Sequence, residues 1–205
     1  MSDNIFYSVK NDIRGAHMKQ ARTLTDKQLK QVLAHCSTRK HAVRDRAIVL
    51  FSFLAGLRAK EIAALTIGNV LGEDGSVREE FTLLPQQTKG RIARRVFVNA
   101  RLQRELALYL KHTKFRAICP ALFQSQKGAA FSANSMCQLL LRIYDEAGFT
   151  DATSHSGRRS MITSLAAKGI VVRVLQTLAG HSSISTTQRY IDVNDKQLRA
   201  AAELA

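Results

Sequence analysis

The segment that most constrains this chain runs from Arg39 to Leu54, because its centre, Ala47-Ile48-Val49-Leu50-Phe51, is apolar on every side. A helix without a polar face is stable only inside a domain, so the segment predicts a buried helix on which other elements pack. Gly56 ends it, and Leu57-Arg58 turns the chain into a short third helix, Ala59 to Leu65. The apolar run stops at Arg58, well short of the length that spans a bilayer.

Amphipathic helices are expected around this core. Thr25-Asp26-Lys27-Gln28 has the spacing of a capping box ahead of Leu29, Val32 and Leu33. Asn99 is placed to cap a helix reaching about Lys114, with Leu102, Leu106, Tyr109 and Leu110 on one face. Ser132 caps another, with Leu139, Leu140, Ile143 and Tyr144 inward and Gly148 at its close. Between Ile67 and Val98 the helical period is lost. Ile67–Val70, Glu80–Leu84 and Arg94–Val98 read as strands separated by Gly72, Gly75, Pro85 and Gly90. The expected fold is therefore α+β, mostly α, with a small three-stranded antiparallel sheet. Residues 1–21 read as a flexible arm and 22–205 as one domain. Its tail helix carries a modest apolar stripe of Leu198, Ala201, Ala202 and Leu204.

Charge narrows the partner. The chain has 31 Lys+Arg against 16 Asp+Glu, a formal net charge of +15, which favours polyanions with an affinity that falls as salt rises. The cations also cluster: from Gln86 to Arg95 there are Lys89, Arg91, Arg94 and Arg95 and no acid. A basic hairpin of this kind suits a phosphate backbone, and Arg159 and Arg189 extend the set. Cys36, Cys119 and Cys137 are scattered, without C-x-x-C or a His/Cys cluster. That pattern fits a reducing compartment and opposes a disulfide framework or a metal site. The N-terminus lacks a secretory layout. A cytoplasmic, nucleoid-associated protein acting on double-stranded DNA is expected, with no membrane contact.

The last third concentrates the chemistry. Between His155 and Tyr190 lie two histidines, the pair Arg158-Arg159, and a tyrosine after the hydroxyl-rich segment Ser182 to Thr187. His155 and Arg158, three apart at a helix start, share a face with free N–H groups. Val171, Val174, Leu175 and Leu178 space out a helix that stops at Gly180 and leaves His181 at its exit. Singly, each residue is more often structural: Arg58 reads as a surface arginine, a lone His as packing, a lone Tyr as half-buried. Together they meet the needs of phosphodiester attack. These are a hydroxyl nucleophile, cations on the non-bridging oxygens, and a proton donor for the leaving oxygen. A guanidinium fork matches two phosphate oxygens, and a phenol both attacks and leaves.

Ala55-Gly56-Leu57-Arg58-Ala59-Lys60-Glu61, Thr88-Lys89-Gly90, His155-Ser156-Gly157-Arg158, Leu178-Ala179-Gly180-His181 and Tyr190 resemble, in order and spacing, the tyrosine recombinase (phage integrase) family. The resemblance covers about residues 22 to 200. It implies that Arg58 and Arg158 clamp the scissile phosphate, with Glu61 supporting the first. It implies that Lys89 protonates the leaving 5′ oxygen, and that His155 and His181 bind the phosphate and assist proton transfer. Tyr190 would form a 3′-phosphotyrosine link that conserves bond energy, so no metal or other cofactor is expected. Four protomers on two paired recombination sites would form the working homotetramer, with a monomer or weak oligomer when free. The tail would dock on a neighbouring protomer, against the plainer reading of a frayed terminal helix. Two features depart from the pattern. Gly157-Arg158-Arg159 stands where the family more often has Leu before the arginine and His after it, and Gly157 is expected to loosen the helix start. The arm is also far shorter than the usual N-terminal domain, as in the fimbrial phase-variation invertases. A DNA-binding regulator without strand exchange and a type IB topoisomerase are the rival readings.

Overall fold

The computed structural model describes residues 20–88, 90–115, 119–191, 198–199 and 202–203. The helices that surround the core are α1 (Asp26–Thr38), α2 (Ala42–Leu54), α3 (Ala59–Ala63) and α4 (Ile67–Val70). After a two-stranded sheet come α5 (Ala100–His112), α6 (Ala133–Glu146), α7 (Ser156–Ala167), α8 (Val172–Ala179) and α9 (Ile184–Gln188). The all-apolar segment is α2, buried continuously from Ala47 to Phe53 and packed against α1, α3, α5 and α7. Its aromatics reach further: Phe51 meets Phe81 and Phe123 edge-on, and Phe53 meets Tyr144 on α6. The helix starts later than Arg39 because that residue caps α1 and turns its Nε onto Asp45 at 2.9 Å.

The expected caps are in place. Thr25 and Gln28 close a capping box, with Thr25 N–H donating to Gln28 Oε1 at 2.9 Å. The Asn99 and Ser132 side chains accept from the N–H groups of Leu102 and Ser135. Tyr109 and Tyr144 are core residues as their stripes require, and the Tyr109 hydroxyl donates to the Leu122 carbonyl at 2.7 Å.

The sheet corrects the sequence reading. Among the described residues it has two strands, β1 (Glu80–Leu83) and β2 (Arg94–Phe97), antiparallel with Glu80 opposite Phe97 and Leu83 opposite Arg94. The expected first strand, Ile67–Val70, is the helical turn α4. Asn69 Oδ1 accepts from both the Thr66 N–H (2.9 Å) and the Thr66 hydroxyl (3.0 Å), so a local box satisfies the backbone that a ladder would otherwise use. Phe81, Leu83 and Val96 face the core.

Two terminal segments bear on the expected arm and tail. Residues 1–19 of the arm lie outside the described residues; from Arg22 onward the chain is anchored. Leu24 N–H donates to Ser160 Oγ on α7 at 2.7 Å, and Arg22 pairs with Asp151 and lies over the Phe149 ring. The tail stripe falls mostly outside the described residues, and its Leu198 is exposed. No helix among the described residues is long and apolar enough to cross a membrane.

Candidate active site

The site is assembled where α2 ends, β2 begins, α7 begins and α8 ends. Arg58 is the N-cap of α3 and Glu61 its third residue, so one carboxylate serves both parts of the arginine. Glu61 Oε2 accepts from the Arg58 backbone N–H and Oε1 from Arg58 Nη1, each at 2.9 Å. A second guanidinium arrives from β2: Arg94 Nη2 is 2.8 Å from Glu61 Oε2. Glu61 is fully buried. Burial alone would raise its carboxyl pKa, but Arg94 and Arg58 outweigh that and hold it below the usual value.

Arg158 comes from the first turn of α7 and is only 3% exposed. Its Nη1 donates to the Gly56 carbonyl and its Nη2 to the Ala179 carbonyl, both at 2.5 Å. One side chain thus ties the exit of α2 to the exit of α8. Gly157 makes this approach possible. A Cβ there would stand 2.5 Å from Ser52 Oγ and 2.7 Å from the Phe53 ring. The residue read as a loosened helix start is instead a close contact between α7 and α2. His155 is the N-cap of α7 and is exposed, with Nδ1 3.4 Å from Ser154 Oγ. Arg158 points inward, so these two neighbours of the expected face end in different environments.

His181 follows α8 through a left-handed Gly180 (φ +61°). The His181 N–H reaches the Gln176 carbonyl and the Gly180 N–H the Thr177 carbonyl, the paired closure that glycine at this position permits. The ring is buried and fixed at Nδ1 by Thr187 Oγ1, 2.9 Å away on α9. Burial first, and then Arg158, Arg58 and Arg94, push its pKa down to about 4, so it is neutral at physiological pH. Tyr190 ends the α9 segment, its N–H on the Thr187 carbonyl at 3.0 Å. Its ring stacks on His181 (centroids 5.8 Å, planes 15° apart), and the Arg159 guanidinium lies 5.2 Å over it. The phenol carrier is half-buried, not packed away.

The charge balance is the telling property. Arg58 and Arg94 both pair with one carboxylate, Glu61, whose charge also acts on Arg158, itself held by carbonyls. Burial and then the charge of Arg58 push Arg158 down to about 9, which leaves it charged at neutral pH but short of negative partners. Buried, undercompensated cations are costly to a fold and cluster where an anion is received.

The structure gathers Arg58, Glu61, Arg158, His181 and Tyr190 at this place. Lys89 lies outside the described residues. Of the expected DNA-backbone set, Arg91 and Arg189 are exposed, and Arg95 is exposed while pairing with Glu80 and stacking on Phe97. Arg159 covers Tyr190. Arg94 corrects the expectation: its side chain is 9% exposed and engaged by Glu61 and the Leu178 carbonyl. The alternation of β2 carried the signal, since Arg94 shares a face with buried Val96 while Arg95 and Phe97 face out. Thr187, the partner of His181, is buried in a segment whose composition reads as plain polar turn, and no sequence signal marks it.

Residues 22–197 match the model of the phage integrase family. Tyrosine recombinase XerA of Pyrococcus horikoshii is 30% identical over 187 residues, 90% of this chain and 61% of the relative. The chain therefore spans about three fifths of the length of the curated relatives it matches. The fold also matches the Tn1549 transposon integrase solved with a circular intermediate DNA. That likeness has a TM-score of 0.73 at 20% identity over 91% of this chain and 67% of that one. The catalytic domain of bacteriophage HP1 integrase is covered over 95% of its length and 90% of this chain, with a TM-score of 0.61 at 23% identity.

Proposed function

The chain belongs to the phage integrase family, and on that premise we propose that it cuts and rejoins DNA at specific sites through a covalent tyrosine intermediate. Tyr190 releases its phenolic proton to water, its Oη attacks the scissile phosphorus and bonds to it, and the bond from phosphorus to the 5′ oxygen breaks. The product is a 3′-phosphotyrosine and a free 5′ hydroxyl, and attack by another 5′ hydroxyl reverses the step. Arg58 and Arg158 hold the non-bridging oxygens as charge builds on them. Glu61 orients Arg58. His181 donates or accepts at the phosphate as a neutral imidazole. Lys89 supplies the proton that the 5′ oxygen takes, and His155 assists from the rim of the site.

The observation that carries this reading is the buried surplus of guanidinium charge beside a half-exposed phenol. A phosphate is the anion that uses both. The partner is double-stranded DNA carrying paired sites, with four protomers assembling on two of them, in a cytoplasmic, nucleoid-bound setting. Arg91, Arg95, Arg159 and Arg189 add contacts to the DNA backbone.

The test is selection of SDS-resistant protein–DNA adducts from a pool of random-sequence duplexes nicked so that religation is blocked. The expected result is enrichment of one sequence with an inverted repeat, its adduct mapped to Tyr190. Sequence-selective binding with no adduct would point to a regulator. Adducts without sequence preference, with relaxation of any supercoiled plasmid by monomer, would point to a topoisomerase.

A further inference from the structure

Arg94 has no part in the steps above, yet it sits at their centre. Consider how α8 ends. Of its last four carbonyls, Gln176 and Thr177 accept from the N–H groups of His181 and Gly180. The other two, Leu178 and Ala179, have no backbone donor at a helix end of this type. Two guanidiniums take them: Arg94 Nη1 reaches Leu178 O at 3.1 Å and Arg158 Nη2 reaches Ala179 O at 2.5 Å. The negative end of the helix dipole favours both. The remaining Nη of each arginine returns to the α2–α3 junction, Arg94 to Glu61 Oε2 and Arg158 to Gly56 O. Gly180 lets the Arg94 chain pass, since a Cβ there would stand 2.4 Å from Arg94 Cδ.

We propose that Arg94 is a positioning residue of the centre. Its fork clamps the Glu61 carboxylate that orients Arg58, and fastens it to the carbonyl end of α8 from which His181 projects. Arg94 thereby sets the relative placement of the first phosphate clamp and the histidine. The inference rests on the reading that Arg58 and His181 meet the scissile phosphate. A guanidinium is required because two acceptors on different elements need two rigidly spaced donors, which an ammonium does not offer. The same charge acts on His181 together with Arg158 from α7 and Arg58 from α3, against Glu61, with the Tyr190 ring on the histidine's face.

The test uses the whole chain with Arg94→Met and Arg94→Lys. In an NMR titration of the His181 ring without DNA, Arg94→Met moves the midpoint upward and Arg94→Lys keeps it near wild type. A midpoint unmoved in Arg94→Met overturns the proposal. Binding to a random-sequence duplex is then measured across salt. Both variants keep the wild-type slope, whereas a slope reduced by about one phosphate contact marks Arg94 as a backbone contact and overturns the proposal. On the duplex selected with wild-type protein, adduct formation falls by about 100-fold in both variants, because the charge without the fork misplaces Glu61. A wild-type rate in Arg94→Lys overturns the proposal, and decides it alone if Arg94→Met does not fold. If wild type itself forms no adduct, the recombination reading fails, while the titration and the salt slope still decide the role of Arg94.

Discussion

Arg58 and Glu61 stand at the start of α3 and Arg158 at the start of α7, against α2, a helix buried along most of its length. His181 and Tyr190 follow α8 and α9, where Val171, Val174 and Ile184 are exposed and Leu175, Ala179 and Thr187 carry the packing. The first region is a frame in which every guanidinium is oriented by carbonyls or a carboxylate. The second is an arm that holds the phenol by one ring stack and one cation above it. Electrostatic groups that stabilise a transition state gain from rigid placement in a dry site. A nucleophile that must attack and later be displaced gains from light packing. On the proposed function, the burial divides the two roles between the two regions.

Changes on the arm should therefore remove chemistry without stability, and changes on the frame should remove both. Tyr190→Phe is the largest expected effect and would break the comparison if it failed. Adduct formation disappears, while thermal unfolding stays within about 0.5 kcal/mol of wild type. Arg158→Met follows on the frame. Adduct formation should fall by roughly 1,000-fold. Stability should drop by about 1–3 kcal/mol, since the Gly56 and Ala179 carbonyls lose their donor. Urea titration and the adduct assay, run on the same samples, separate the two outcomes.

Gly157→Leu tests the frame at its tightest point. The family pattern favours leucine there, but here Ser52 Cβ already stands 2.8 Å from a Cβ at this position. The overpacking should cost about 1–3 kcal/mol, read as a lower melting temperature, with Gly157→Ala lowering it less. A stabilised leucine variant would mean that α7 can move away from α2.

Much of this architecture was legible because local rules and global packing agree. The capping boxes, the all-apolar α2 and the stripes of α5 and α6 each follow from spacing within a dozen residues. What was not legible depends on contacts between distant segments. Ile67–Val70 is the exception, since its helical turn comes with a Thr66–Asn69 box three residues apart that a strand reading passes over. Gly157 looks loose until α2 is laid against it. Arg94 looks like one more cation of a basic hairpin until Glu61 and the end of α8 meet it. The motif residues themselves were readable by order and spacing, but their charge states were not, since burial and neighbours fix those.

Acid should distinguish the regions next. The pKa of His181 falls from 6.5 to about 4 on folding. Between those values the unfolded chain takes a proton that the folded chain refuses, so this contribution is complete above pH 6.5 and declines as pH falls toward 4. Comparing stability at pH 7 and pH 5, His181→Gln should lose less than wild type by on the order of 1–2 kcal/mol. An equal loss in both proteins would mean that folding does not depress the pKa of the ring.

The smallest effect belongs to neither region. Arg95 lies on the outer face of β2, its guanidinium shared between Glu80 and the Phe97 ring and largely exposed. A surface pair of that kind contributes about 0–1 kcal/mol, so Arg95→Ala should barely change the melting temperature. If it also meets the DNA backbone, the logarithmic salt slope of binding should shrink by about one contact, with the adduct rate at saturating DNA unchanged. Arg94, its neighbour in sequence, should give the opposite result in both assays. Two adjacent arginines on one strand would then separate binding from positioning, because the pleat turns one outward and the other into the frame.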